Sequence, residues 1–384
     1  MPVVLALLAL VLGVWTLNSP RRLRSATDDG VTDDGVSDNG VRAVAQAASV
    51  IIPARDEAHN LPRLLASLAA STQRPAEVIV VDDGSTDGTA DVAASFGAVV
   101  LTAAPLPSGW VGKNWACHLG AQRAETATLV FLDADTWLSC DALDALVSTH
   151  AAVGGLVSVQ PYHRVRRAYE RLSAVFNVAS LMGSGAFGLR VASRVRVAFG
   201  PCLVTSVDDY RRVGGHESVR GEIVEDIALA ARYADAALAV TCVLGGQHVG
   251  FRMYPNGLRS LVQGWSKNIA TGASRAPASR VVPSVLWVMA VAAVETAFIG
   301  GVIGWVTGGT RPVAASIAWL AVTVHIATML RSIGSFGAAT AIVFMVPLVF
   351  FVIIFGRAMV LAVTRRPVQW RGRAVLTSTD RSGR

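Results

Sequence analysis

Three short stretches place carboxylates where they could do chemistry. "TLVFLDADTWLS", residues 128–139, ends an apolar run with Asp133 and Asp135 on either side of Ala134. "VDDGSTDGT", residues 81–89, ends another with Asp82 and Asp83. "GEIVEDIALAAR", residues 221–232, opens a helical pattern with Glu225 and Asp226. Charge at the mouth of an apolar strand is costly unless something pairs with it. Side chains at i and i+2 of an extended segment point to one face. Asp133 and Asp135 there repel each other unless a divalent cation sits between them and a diphosphate. A site of oxygen donors alone suits Mg2+ or Mn2+, and such an ion would neutralise charge growing on a departing diphosphate. The competing reading is that Asp135 caps the following turn.

The other charges carry similar pairs of readings. Asp82 and Asp83 at a strand end can accept hydrogen bonds from a base N–H and a ribose hydroxyl, or they and the following Ser and Thr serve a turn and a helix cap. One of Glu225 or Asp226 could act as general base for an acceptor hydroxyl, or both simply favour a helix N-terminus. Lys113, in "GWVGKNWACHLG", stands out because the 34 basic residues include only two lysines, Lys113 and Lys267. A compact ammonium there could neutralise a phosphate or a carboxylate. The spacing is not that of a phosphate-binding P-loop, since no Ser or Thr follows the lysine. "GSGAFG", residues 183–188, has the dinucleotide-loop spacing but follows a helical pattern rather than a strand. It is expected to be flexible backbone near an acceptor channel.

The elements that must hold these residues alternate from Ser49 onward. "SVIIPA", "AEVIVVDD", "AVVLTA" and "TLVFLDAD" read as strands, and residues 58–70, 87–96, 113–124 and a segment from Asp141 read as helices. Such alternation predicts an α/β fold with a mostly parallel sheet and helices on both faces. Sheets of this kind bind ligands at the carboxyl ends of their strands, where this chain concentrates its acids. "VAFGPCLVTS" and "LAVTCVLGG" read as later strands.

Composition sets the surroundings. Of 384 residues 52% are hydrophobic and only 16% charged, too apolar for an ordinary soluble domain. The excess lies in residues 1–17, 281–306, 312–330 and 333–363. Each C-terminal block approaches or exceeds the roughly 20 helical residues that cross a bilayer. The net charge of +7 is concentrated from Arg357 onward in seven arginines against one aspartate, which reads as a cytoplasmic tail, either anchored on anionic lipid or simply solvated under the positive-inside bias, and not as a nucleic-acid footprint. Residues 27–41 repeat an acidic, Gly-rich pentad that cannot bury a core. Cys117, Cys140, Cys202 and Cys242 show no metal-binding or disulfide spacing, in keeping with a reducing compartment. Leu258, Leu261, Val262, Trp265 and Ile269 form an apolar helical stripe that suits either a helix lying in the membrane interface or an ordinary core-facing one. Glu295 lies inside an apolar block, where acids are often functional. Three crossings after a cytoplasmic domain would strand the arginine tail outside, so one block is expected not to cross, or 333–363 to be broken, which Pro347 allows.

"SVIIPARDE", "VDDGSTDGT", "LDAD" and "EDIALAAR", in this order, resemble family 2 glycosyltransferases with the GT-A fold over roughly residues 49–244. "PLPSGWVGKNWACHLGA" and "FRMYPNGLRSLVQGWSKN" are similar to the membrane glycosyltransferases of carotenoid and hopanoid pathways, including the diaponeurosporenoate type. The resemblance implies that Pro53, Glu57, Asp82 and Asp83 hold uridine, that Asp133 and Asp135 are the metal pair with Asp135 the more direct ligand, and that Asp226 is the base. Lys113 and Trp265 are further donor- or acceptor-site candidates. The Q-x-x-R-W motif of processive polysaccharide synthases is replaced by "QGWSK", which puts chain elongation in doubt. The organisation implied is an N-terminal transmembrane anchor (1–20), a flexible acidic linker (21–48), a GT-A catalytic domain (49–254), an interfacial amphipathic helix (255–280), two or three transmembrane helices (281–364) and a basic cytoplasmic tail (365–384). The implied reaction is inverting transfer of a sugar, glucose from UDP-glucose, to a carotenoid or terpenoid carboxylate or hydroxyl. It would take place at the plasma membrane with the catalytic domain cytoplasmic. Polyprenyl-phosphate glycosylation, polysaccharide synthesis and a non-catalytic scaffold or transporter role are the alternatives.

Overall fold

The computed structural model describes residues 1–18, 21–24, 48–189, 195–272, 278–364, 368–370 and 373–375. The acidic repeat lies outside them, as does most of the basic tail. The elements in chain order are α1 (Pro2–Thr16), β1 (Ala48–Ala54), α2 (Leu61–Ala69), β2 (Glu77–Asp82), α3 (Thr89–Ser95), β3 (Val99–Thr102), α4 (Gly112–Arg123), β4 (Thr128–Leu132), β5 (Thr136–Leu138), α5 (Ala142–Val153), β6 (Leu156–Gln160), β7 (Tyr162–His163) and α6 (Ala174–Ser184). There follow β8 (Cys202–Ser206), α7 (Val207–Arg212), α8 (Glu225–Asp235), β9 (Val240–Leu244), β10 (Val249–Phe251), α9 (Leu258–Gly272), α10 (Ala278–Val306), α11 (Val313–Ile333), α12 (Ala338–Ile342), α13 (Met345–Val363), β11 (Val368–Trp370) and β12 (Arg373–Val375). Two compact units result. One is α/β, residues 21–162 and 192–252; the other is helical, residues 1–20, 163–191 and 253–384.

The α/β unit is built on a seven-stranded sheet of order β3-β2-β1-β4-β8-β6-β9. β3, β2, β1 and β4 run parallel, as the strand–helix alternation predicts. β8 runs antiparallel to both β4 and β6, and β6 pairs parallel with β9. Side chains of the strands alternate between two cores, as a period of two requires. Val50, Ile52, Val130 and Leu132 meet the leucine stripe Leu61, Leu64, Leu65 and Leu68 of α2 and Leu143 and Leu146 of α5. Ile51, Leu129 and Phe131 meet Cys117 and Ala121 of α4 and Leu229 and Tyr233 of α8. Helices therefore cover both faces. All four cysteines are free, and Cys117, Cys202 and Cys242 are buried as small apolar residues.

The strand order reverses between β1 and β4, and their ladder ends at the pair Ile51–Phe131. β1 continues to Ala54 against β2 alone. Proline is tolerated at position 53 because the strand has a free side beyond that point. The opening so made at the carboxyl edge is the crevice in which open α/β sheets bind ligands.

In the helical unit the patterning is inverted. α1 turns Ala6, Ala9, Gly13 and Thr16 inward, packing on α10 and α11. A Cβ added to Gly13 would stand 2.2 Å from His325 Nε2. The outward positions, among them Leu7, Val11, Met289, Ile303, Leu320, Val324, Val352 and Ile353, are large, apolar and exposed. Two helices, Val281–Val306 and Val313–Ile333, are long and apolar enough to cross a membrane, while Pro2–Thr16 and Met345–Leu361 are shorter. The block 333–363 is broken: α12 ends at Ile342 and α13 begins at Met345. Pro347 thus falls in the first turn of α13, where its missing N–H costs no helical bond.

Two expectations change here. "GSGAFG" is packed and not an open loop: Phe187 is buried, its carbonyl accepts from Asn18 N–H at 3.0 Å, and a Cβ on Gly188 would stand 2.6 Å from Trp15 O. Its glycines permit close approach to the end of α1. The apolar stripe of α9 is also spent on protein. Leu261, Trp265, Val262 and Ile269 pack with Phe176, Phe350, Phe351 and Ile354, leaving Leu258 exposed. That is the core-facing alternative to the interfacial reading.

Gly120 gives a direct test of the sheet–helix packing. A Cβ there would lie 2.4 Å from Ile51 Cγ2 and 3.3 Å from Val81 Cγ2, and a β-branched strand residue has little rotamer freedom with which to give way. Gly120→Ala should destabilise the protein by about 1–3 kcal/mol, read as a lowered unfolding midpoint in detergent.

Candidate active site

The loops after β1 and β2 lie side by side because Ala54 pairs with Asp82. They are then stitched together. Asp83 N–H donates to Ala54 O at 2.9 Å, and the Arg55 guanidinium lies 3.1 Å from Asp83 O and 3.4 Å from its Oδ2. Asp56 takes a left-handed backbone, φ 52°. Its Oδ1 accepts from Thr86 N–H at 2.9 Å, while its own N–H donates to Ser85 Oγ at 2.9 Å. Asp87 accepts from Ala58 N–H at 3.0 Å and Thr89 N–H at 3.1 Å. Asp82 is buried and accepts from the Ser85 N–H and hydroxyl. Glu57 is buried and accepts from Asn60 Nδ2 at 2.7 Å. Turn-and-cap chemistry thus accounts for Asp56, Ser85, Asp87 and Thr89, and it holds Pro53, Glu57, Asp82 and Asp83 on one edge.

Asp133 to Asp135 is a turn and not an extended segment. Asp133 O accepts from Thr136 N–H at 3.0 Å and from the Thr136 hydroxyl at 2.7 Å. Asp133 and Asp135 are half-buried around a buried Ala134, on a tight turn and not on an extended strand. Asp133 N–H donates to Pro201 O at 2.9 Å, fixing the turn to the entry of β8.

Lys113, the second residue of α4, joins three elements. Its Nζ lies 2.8 Å from Asp133 Oδ1 and 2.8 Å from Glu225 Oε1. Asn114 holds the same helix end: buried, its Nδ2 donates to Val219 O at 2.8 Å, Glu222 O at 3.0 Å and Arg220 O at 3.3 Å. Val111 N–H adds a bond to Arg220 O at 2.8 Å. The loop that leads into α8 is thereby tied to the start of α4, and Glu225 meets Lys113.

Two neighbouring acids come out differently. Burial would raise the Glu225 carboxyl, but the Lys113 ammonium outweighs it and holds Glu225 below the ordinary value. Burial would likewise depress Lys113, but Asp133 and Glu225 raise it well above the usual lysine range. Asp226 is pushed up to about 7, first by burial and then by the charge of Glu225. It accepts from Gly200 N–H at 2.8 Å and Ile227 N–H at 2.9 Å. Gly200 has room for this only without a Cβ, which would stand 3.0 Å from Asp226 Oδ2. A carboxyl poised near neutrality is what general-base work requires.

The structure therefore brings Lys113, Asp133, Glu225 and Asp226 together within the α/β unit. Trp265 belongs to the helical unit, where it is 6% exposed, stacks on Phe176 at 4.5 Å and donates its indole N–H to Ser173 Oγ at 3.0 Å. The aromatic face expected to meet a substrate is covered by Phe176. Asn114 and Gly200 were missed from sequence. Asn114 shares the buried stripe of α4 with Cys117 and Ala121, and a polar residue on such a stripe was the available signal.

Residues 49–182 match the model of the family described as glycosyl transferase family 2. Residues 49–182 are thus similar to a family 2 glycosyltransferase domain. Over 247 residues it is 42% identical to 4,4'-diaponeurosporenoate glycosyltransferase of Staphylococcus aureus (strain MRSA252), a match covering 63% of this chain and 66% of that one. The chain thus spans just under two thirds of that relative's length. Its fold is similar to that of the mannosyltransferase PcManGT from Pyrobaculum calidifontis in complex with GDP-Man and Mn2+, with a TM-score of 0.51, 16% identity and coverage of 94% of this chain and 99% of that one. At that identity the likeness is one of fold, and the fold is GT-A.

Two outcomes follow from this geometry. Asn114→Ala strips a donor from buried carbonyls and should cost about 1–3 kcal/mol, measured as a lowered unfolding midpoint. Asp226 binds its proton more tightly in the folded chain, about 7 against an ordinary 3.8. Its contribution to stability is therefore fully present below the ordinary value and is lost as pH rises through about 7. Asp226→Asn should flatten that part of the stability–pH curve, and an unchanged slope would contradict the assignment.

Proposed function

We propose that the protein transfers a sugar with inversion from a UDP-sugar, glucose being the sugar assigned, to a terpenoid lipid that presents a carboxylate or a hydroxyl. The observation that carries the reading is the pairing of Asp226, poised near neutrality, with the Lys113–Asp133–Glu225 cluster at the carboxyl edge of a GT-A sheet. The name of the Staphylococcus aureus relative supports the class of acceptor.

Pro53, Glu57, Asp82 and Asp83 would bind the nucleoside through the stitched loops after β1 and β2. Asp133 and Asp135 would hold Mg2+ or Mn2+. Among the described residues no group of three or more His, Cys, Asp and Glu side chains gathers as ligands. A pair of carboxylates still fits an ion that takes its remaining oxygens from a substrate diphosphate and water. When bound, the ion supplies positive charge against the departing diphosphate. Glu225 keeps Lys113 charged and aimed into the same pocket. Asp226, oriented by the Gly200 and Ile227 N–H groups, would take the proton of an acceptor hydroxyl as that oxygen attacks the anomeric carbon from the side opposite the leaving group. A carboxylate acceptor arrives already ionised near neutral pH and asks nothing of Asp226 as a base.

The outward apolar side chains of α1, α10, α11 and α13 support residence in a membrane. Crossing by α10 and α11 alone would return the arginine tail to the cytoplasmic face with the catalytic domain, as the positive-inside bias requires. Cysteine labelling from each side tests that count: a tail labelled only from outside contradicts it.

Incubating the purified chain with labelled UDP-glucose and terpenoid acids or alcohols tests the activity, and no transfer to any of them would refute it. With a hydroxyl acceptor, Asp226→Asn should lose about 100- to 10,000-fold in kcat, with little loss on a carboxylate acceptor. Equal losses on both would rule out the proton-removal role. Asp135→Ala should cost about a hundredfold or more in turnover, and full activity without a divalent cation would refute the metal assignment.

A further inference from the structure

Lys113 contacts two carboxylates with different duties. Asp133 is one of the pair assigned above to the divalent cation, and its Oδ1 is already engaged by the Lys113 ammonium at 2.8 Å. Glu225, buried in the first turn of α8, engages the same ammonium at 2.8 Å. The two attachments differ in character. Asp133 is 29% exposed and Glu225 only 9% by side chain, so release of Asp133 is the cheaper of the two. The backbone of Lys113 is fixed, because Val111 N–H and Asn114 Nδ2 lash the start of α4 to the loop 219–222. The ammonium is not fixed to the same degree: it carries three donors on a four-carbon stem, and a third of the side chain is exposed.

We infer that Lys113 is an internal counter-ion that keeps Asp133 from a divalent cation until a diphosphate is present, with Glu225 as its anchor. The inference rests on the assignment of Asp133 and Asp135 to the cation. A cation arriving alone meets a positive charge and an occupied carboxylate oxygen. A cation arriving with a diphosphate brings phosphate oxygens that the ammonium can take in exchange for Asp133, without leaving Glu225. One side chain thus opposes the bare ion and favours the ion–nucleotide complex. A lysine that merely braces α4 against α8 would do neither, and one that serves only the diphosphate would not oppose the bare ion.

The test is calorimetric titration of the full chain in detergent, with Mn2+ alone and then with UDP at saturating Mn2+. Lys113→Gln should bind Mn2+ alone about tenfold more tightly than wild type and UDP about tenfold more weakly, the scale expected when one positive charge about 5 Å from a dication is removed at near-aqueous dielectric. If the single variant does not fold, because Glu225 is left buried without its partner, Lys113→Gln combined with Glu225→Gln removes the buried ion pair as a unit, frees Asp133 in the same way, and should show the same two opposite shifts at smaller size, since the lost Glu225 charge offsets part of the gain for the cation. Unchanged or weaker Mn2+ binding by either folded variant, while wild type still binds UDP with Mn2+, overturns the inference alone. UDP binding that persists at wild-type strength when Asp133 and Asp135 are both changed to Asn overturns the metal assignment beneath it.

Discussion

A single ammonium between two carboxylates ties together three elements of the α/β unit. Lys113 comes from α4, Asp133 from the turn after β4 and Glu225 from the start of α8. Glu225, the most buried of the three, is the one that cannot stand there alone. A buried carboxylate without a partner is far more costly than the pair is favourable, so Glu225 demands the Lys113 ammonium, which then reaches the more exposed Asp133. The backbone arrangement makes the meeting possible. Asn114 ties α4 to the loop before α8, and Asp133 N–H ties the acidic turn to Pro201 at the entry of β8. Segments far apart in sequence, near residues 113, 133, 200 and 225, are thereby fixed to one small volume.

The same arrangement shifts two adjacent acids in opposite directions. Glu225 and Asp226 are neighbours at the positive end of one helix, and nothing in their local sequence tells them apart. Lys113 does. It stabilises the charge of Glu225, and the charge of Glu225 then makes ionisation of Asp226 harder on top of the burial both share. Carboxyl groups whose surroundings drive their titrations apart are a sign of acid–base assignment. Here the separation follows from one contact of 2.8 Å. The sequence reading could only leave the choice of base open until the family resemblance favoured Asp226.

What was legible in the sequence was whatever depends on local period. The strands β1 to β4, the helices between them, and the acids at the strand ends all follow from apolar alternation and from turn residues at fixed offsets. β6 escaped because "GGLVSVQ" is a short run without strong bounding signals. The antiparallel insertion of β8 between β4 and β6 is a matter of long-range pairing, to which local pattern is blind. Asn114 and Gly200 matter through contacts with residues that are distant in sequence. The α9 stripe shows a different limit. A row of apolar side chains at helical spacing reads the same whether lipid or Phe350 and Phe351 cover it, and only the packing decides.

The helical unit turns this ambiguity into an argument. In water, large apolar side chains belong inside and small ones are indifferent; α1 does the reverse, with Ala6, Ala9 and Gly13 inward and Leu7 and Val11 outward. Such a helix has no hydrophobic reason to pack on its neighbours in water. In lipid it does, because small residues let backbones approach and gain dispersion contacts that lipid tails cannot match. α1 has 15 residues, which at 1.5 Å rise is roughly 22 Å and short of a hydrocarbon core of about 30 Å. It therefore cannot rely on span length alone for its place. Its close contact with α10 and α11, and the bonds from Asn18 to Phe187 and from Leu189 to Trp15, supply what length does not. The buried glycines at 13 and 188 are what make that contact close enough.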